Sequence, residues 1–146
     1  MHLKRILSIL LIAIVFLIMG CDNKLKSSID DTKEEINTMK MIINEKEYII
    51  ELEKNETVNS FIDMLQLELT MNELNGNEKY AYLDKKLPAD PYNPKKINKG
   101  DVMLFGNNCL VIFYKSFNTS YSYTKIGHIN NLPDLYDNNI NVKIQK

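Results

Sequence analysis

Residues 6–19 form an apolar run broken only by Ser8, with Lys4 and Arg5 before it and Gly20 and Cys21 after it. This arrangement decides which part of the chain must fold in water. A positive stretch, an apolar stretch and a small residue at its end, in that order, are the three parts of an export signal. The run is fourteen residues long, short of the ~20 that a helix needs to cross a bilayer. A buried core helix is allowed by length, but the polar residues directly after Cys21 fit it poorly. The cysteine adds a further constraint. Gly20 fits a narrow peptidase site, and the Cys21 thiolate is the nucleophile that takes a diacylglyceryl group. The sequence therefore predicts a lipoprotein signal over 1–20, cleavage between Gly20 and Cys21, and lipidation of Cys21. The expected location is the extracytoplasmic face of the cell membrane, with the N-terminal lipid as the membrane contact.

Cleavage at that point leaves 126 residues, enough for one domain with its own core. Removing Lys4 and Arg5 from the 18 basic residues leaves 16 against 19 acidic ones, a formal charge of −3. That balance points to no nucleic acid partner. With Cys21 occupied by lipid, Cys109 is the remaining thiol, so no disulfide forms within the chain and stability must come from packing. Arg5 is the single arginine, which leaves the mature chain with none.

Residues 21–38 are mostly polar, with Asp30, Asp31, Glu34 and Glu35 among lysines and serines, and read as a flexible tether. The folded domain is expected over 39–146. Strands are predicted at 40–43 and 47–52 around a turn at Asn44-Glu45-Lys46. Val58, Phe61, Ile62 and Leu65 fall at helical spacing behind a candidate N-cap, Asn55, which predicts a helix over 56–65. Leu67, Leu69 and Met71 alternate with polar residues as in a half-buried strand, and Asn75-Gly76 is a strong turn signal. Residues 84–101 read as one long loop, a length that is often functional. Further strands are expected at 102–105, 109–114, 124–129 and 140–144, with a helical turn at 132–136. Many short strands with few helices point to a mainly β chain closed into a barrel, which also removes exposed sheet edges.

Chemistry-bearing residues are sparse. Cys109 opens the run Cys-Leu-Val-Ile-Phe and reads as a small buried hydrophobe. His128 has no second histidine or cysteine beside it, so no metal site is expected; it reads as a solvated side chain at a strand end. No catalytic residue can be named, and no phosphate loop or nucleophile elbow is present. The tyrosines carry the strongest signal. Tyr80 with Tyr82, and Tyr121 with Tyr123, are i, i+2 pairs that share a sheet face when extended. Asn108, Lys115 and Thr119 add polar groups near them in the chain. Large rings with hydrogen-bonding tips suit a cleft for a peptide or a small molecule, and equally suit the rim of a barrel.

From residue 41 onward the chain resembles the bacterial cyclophilin-like domain family. The resemblance rests on Leu69-Thr70-Met71, on Leu74-Asn75-Gly76-Asn77-Glu78-Lys79-Tyr80, and on Gly100-Asp101-Val102-Met103-Leu104-Phe105-Gly106. It continues through residues 108–117 and Ser122-Tyr123-Thr124-Lys125-Ile126-Gly127. It implies a cyclophilin-like closed β-barrel with one or two short helices; separately, no cofactor is expected. It also implies frequent attachment to membranes as lipoproteins, and a flavodoxin-like partner in some members.

Prolyl isomerisation in true cyclophilins uses an arginine that engages the proline nitrogen and lowers a C–N rotation barrier of ~20 kcal/mol. A mature chain without arginine lacks that agent, and lysine has no planar fork to replace it. The reading is therefore a lipid-anchored, non-catalytic module that binds a peptide or small ligand through Tyr80, Tyr82, Asn108, Lys115, Thr119, Tyr121 and Tyr123. The alternatives are a weak peptidyl-prolyl isomerase or folding helper, and an accessory to a flavodoxin-type redox partner.

Overall fold

The computed structural model of the protein describes residues 37–146. The expected signal, the cleavage and lipidation site at Gly20 and Cys21, and all but the end of the tether lie outside the described residues. Strands β1 (Thr38–Ile43) and β2 (Lys46–Leu52) form a hairpin in which Ile43 faces Lys46. The two residues between them, Asn44 and Glu45, both have positive φ (45° and 70°). That is the primed turn whose twist matches a right-twisted pair of strands.

Helix α1 (Glu56–Ile62) follows, with the Asn55 side chain accepting from the Val58 N–H at 2.8 Å. It ends earlier than the spacing predicts. The Met64 N–H donates to the Phe61 carbonyl and the Leu65 N–H to the Ile62 carbonyl, the tighter bonding of a closing 3₁₀ turn.

Strands β3 (Leu67–Leu74), β4 (Glu78–Tyr82), β6 (Asp101–Phe105), β7 (Cys109–Phe113), β9 (Thr124–Ile129) and β10 (Asn139–Gln145) complete the main sheet. Between them lie two-residue strands β5 (Lys96–Ile97) and β8 (Phe117–Asn118), which pair only with each other. The main sheet is a closed antiparallel barrel in the order β1-β10-β3-β4-β7-β6-β9-β2. Closure depends on the β1–β10 and β2–β9 pairings, for example Met41 with Ile144 and Leu52 with Gly127.

The expected mainly β closed barrel is therefore present. Two local expectations need correction. The loop over 84–101 carries β5. Residues 132–136 are irregular rather than a helical turn, so α1 is the single helix among the described residues. Leu132 and Leu135 are three residues apart because both are buried in the barrel core, not because the backbone is helical.

Alternation along the strands produces two cores. Val102 and Leu104 of β6, Leu110 and Ile112 of β7, and Ala81 of β4 belong to the barrel interior with Met41, Met71, Ile126 and the helix residues Val58 and Phe61. The intervening residues Met103, Cys109, Val111 and Phe113 form a second cluster with Ile97, Tyr123, Tyr80 and Phe117. Strand β7 is thus buried on both faces, which its unbroken apolar run anticipates.

The second cluster is roofed by two chain segments laced together. Tyr92 and Tyr123 exchange backbone hydrogen bonds at 3.0 and 2.9 Å, and the Thr119 N–H donates to the Lys95 carbonyl at 2.9 Å. The Asn93 side chain adds a bond to the Ser120 carbonyl.

Lys79 lies on the opposite face of β4 from Tyr80 and is fully buried. Its ammonium bonds the Glu73 carboxylate and the Asp137 carbonyl and lies over the Tyr114 ring, 5.3 Å from the centroid. The Tyr114 hydroxyl donates to the same carboxylate at 2.9 Å. Burial opposes the charge on Glu73, but donors from Lys79, Tyr114 and the Gly76 N–H outweigh it and hold the carboxyl below its usual range. Burial and the bond to Glu73 push the Tyr114 hydroxyl up to about 12.

His128 stands near the end of β9 and is half-exposed, and it also has a partner: its Nδ1 lies 3.0 Å from Asp101 Oδ1, across the β6–β9 pairing.

Candidate functional site

Where the roof meets the β4–β7–β6 wall, it leaves a cleft of about 370 Å³. Its floor comes from strand positions of one parity, Glu78, Tyr80 and Tyr82 of β4 with Cys109 and Val111 of β7. Its walls come from Leu74, Asn75, Asn77, Phe105, Phe117, Tyr121 and Tyr123. The Tyr80 and Tyr82 rings meet edge to face at 6.0 Å. Phe105 packs against both Tyr121 at 6.1 Å and Tyr123 at 5.6 Å, so the two aromatic pairs face one space. Tyr82 and Tyr121 are about two-thirds exposed, whereas Tyr123 is buried.

Four of the seven large apolar side chains exposed among the described residues are Leu74, Tyr82, Phe105 and Tyr121, and all four line this cleft. Exposed apolar residues scattered singly carry no message, whereas a contiguous group marks an interaction site.

The remaining residues expected at the site lie beside it. Asn108 bonds Leu83 in both directions, its carbonyl accepting at 2.7 Å and its amide donating at 3.4 Å. Lys115 lies over the Tyr114 and Tyr136 rings, away from the lining residues. The Thr119 hydroxyl accepts from the Tyr121 N–H at 3.1 Å and bonds the Tyr123 hydroxyl, so it orients the tyrosines without lining the cleft.

Sequence reasoning missed Glu78, Phe105 and Phe117. For Glu78 a signal was available: it stands two and four residues before Tyr80 and Tyr82, on the same strand face. Its side chain is nine-tenths buried, and among the described residues its carboxyl has no hydrogen-bond or ion-pair partner. Burial first, and the nearby Glu73 charge second, raise it to about 7. Burial and Glu78 also raise the Cys109 thiol, so this cysteine is a poor nucleophile at neutral pH. Among the described residues no cluster of His, Cys, Asp and Glu is placed to hold a metal ion.

With this geometry in place, the chain can be compared with known proteins. The profile of the cyclophilin-like family matches residues 41–145, which covers both the barrel and the cleft. The chain belongs to the cyclophilin-like family. A hypothetical protein of Archaeoglobus fulgidus, AF2241, whose structure was determined in solution, shares the fold with a TM-score of 0.51. At 20% identity over 74% of this chain and 92% of that one, the likeness speaks for the cyclophilin-like barrel alone. No curated protein matches the sequence significantly.

Proposed function

We propose that this cyclophilin-like domain is a binding module held at the outer face of the cell membrane by a lipid on Cys21, and that it takes a peptide or small ligand in the tyrosine-lined cleft. The observation that carries the binding role is the gathering of exposed apolar side chains at one cleft. The anchor rests on the signal, with Gly20 and Cys21 at its end. The rigid β4–β7–β6 wall supplies a preformed floor, which limits the ordering cost of binding.

Random peptides selected for binding to the full chain test the module. Tyr82→Ala with Tyr121→Ala should weaken them by about ten-fold or more, since buried aromatic anchors dominate such contacts, while the melting temperature stays unchanged. Selected peptides indifferent to both substitutions would place binding elsewhere. Clear turnover in a proline-peptide isomerisation assay would replace the module by an isomerase. For the anchor, Cys21→Ala should abolish metabolic lipid labelling and membrane partitioning of the processed protein.

A further inference from the structure

The chemistry of the cleft lining is lopsided. Six aromatic rings line it, the one carboxylic acid among the lining residues is Glu78, and no lysine lines it. Aromatic faces carry partial negative charge, so the walls and the acid favour the same sign of guest. The polar atoms left unpaired are also of one kind. The Glu78 carboxyl has no partner among the described residues, and Asn77 Oδ1, from a second lining residue, is buried without a hydrogen bond. Asn77 Oδ1 is a buried acceptor in want of a donor, and the Glu78 carboxyl is an acidic group open to the cleft. Elsewhere in this domain buried acceptors are well supplied, as the three donors to Glu73 show.

We infer that the cleft takes an organic cation, a protonated amine with N–H donors on an apolar body, its charge set against Glu78 and its apolar part between Tyr82, Phe105 and Tyr121. This inference deepens the binding role proposed above and rests on it. A quaternary ammonium satisfies the rings and the charge but brings no donor. An alcohol brings a donor but no charge. A protonated amine answers all three features, and a volume of about 370 Å³ admits it with one ring or branched chain attached. Burial apart, the group that acts on Glu78 is Glu73 on β3, and Glu78 in turn raises the Cys109 thiol on β7 and the Tyr123 hydroxyl from the roof; none of the three is a cation. A bound ammonium therefore meets no like charge from the lining.

The test uses the full chain in non-ionic detergent, three soluble probes that share a benzyl group, and the backbone amide resonances of the cleft. At about pH 8 benzylammonium should bind about ten-fold tighter than benzyl alcohol, with benzyltrimethylammonium between them. The preference should shrink several-fold at about pH 5.5, where Glu78 carries a proton. Glu78→Gln should abolish it, bringing benzylammonium down to the level of benzyl alcohol. Tyr82→Ala, at an exposed position that leaves the fold alone, should weaken all three probes.

Equal binding of alcohol and amine, or a preference that survives Glu78→Gln, overturns the cation assignment while leaving a ligand cleft in place. If none of the probes and none of the selected peptides shifts cleft resonances, the binding role itself falls, and this inference with it.

Discussion

Replacing Glu78 by glutamine keeps the side-chain shape and removes the ionisable acid from the cleft lining. The Glu78 carboxyl sits at about 7 in the folded protein against an ordinary value of 4.5, because burial and the neighbouring Glu73 charge disfavour its ionised form. An acid whose folded value is raised binds its proton more tightly in the native state. Stability from this group is therefore fully present below the unfolded value and is lost as pH rises from about 4.5 to about 7. At about 1.4 kcal/mol per pH unit, that interval corresponds to about 3.5 kcal/mol, and water entering the open cleft screens it to about 2 kcal/mol. Glu78→Gln should therefore be about 2 kcal/mol more stable than the natural chain at pH 8, a rise of ~8 °C in melting temperature. The two proteins should converge near pH 4. Urea unfolding followed by circular dichroism at several pH values measures the difference, and contributions from all other groups cancel between the two chains. An offset that does not vary with pH would show that shape rather than charge is responsible. A variant less stable at pH 8 would mean that Glu78 has a stabilising partner, and the account of the cleft as acceptor-rich would fail.

Three other substitutions probe the frame around the cleft. Gly127→Ala places a Cβ 2.3 Å from the Glu51 carbonyl oxygen at the β2–β9 seam, so it should cost ~2 kcal/mol or more in urea unfolding; an unchanged midpoint would refute that contact. Lys79→Ala strips Glu73 and the Asp137 carbonyl of a buried donor and should cost ~3 kcal/mol, whereas Lys79→Met, which refills the space, should cost clearly less. Equal losses would show that the lost ammonium and its hydrogen bonds, not packing, govern that cluster. Glu45→Gly relieves a positive φ of 70° in the first hairpin and should stabilise the domain by ~0.5–1 kcal/mol, read as a higher thermal midpoint.

Most of the strands were legible because each buries one face and alternation marks it, as in Leu67, Leu69 and Met71. The helix start was legible from Asn55. Alternation does not say which strand lies beside which, so the β1–β10 and β2–β9 pairings that close the barrel follow from register and geometry between residues far apart in sequence, such as Met41 with Ile144 and Leu52 with Gly127. Strands β5 and β8 are two residues long, too short to carry a period; β5 was absorbed into the loop over 84–101, and β8 was not read. Leu132 and Leu135 mimic a helical spacing while serving an irregular segment.

The same limits govern the site. The two tyrosine pairs could be read, because i, i+2 spacing on a strand fixes direction for Tyr80 and Tyr82, and the roof segment brings Tyr121 and Tyr123 to meet them. Asn108, Lys115 and Thr119 were proposed from nearness in the chain, and in turns and loops nearness does not fix where a side chain points. Glu78 carried the pattern of the tyrosine face but was not singled out among the site residues.

Strand β7 has no solvent face, and this shapes how such a domain can change over time. Its five residues serve two masters: Leu110 and Ile112 answer to the barrel, Cys109, Val111 and Phe113 to the cleft side. A substitution that reshapes the cleft floor must pass a second examination for fold integrity, and one that loosens the barrel also distorts the floor. Variation in what is bound is therefore steered into the exposed positions of the roof, residues 84–100 and 115–123, where backbone hydrogen bonds tolerate new side chains, while Leu87, Ile97 and Tyr123 stay tied to the cores. Relatives with different ligands are expected to keep the floor and rewrite the roof.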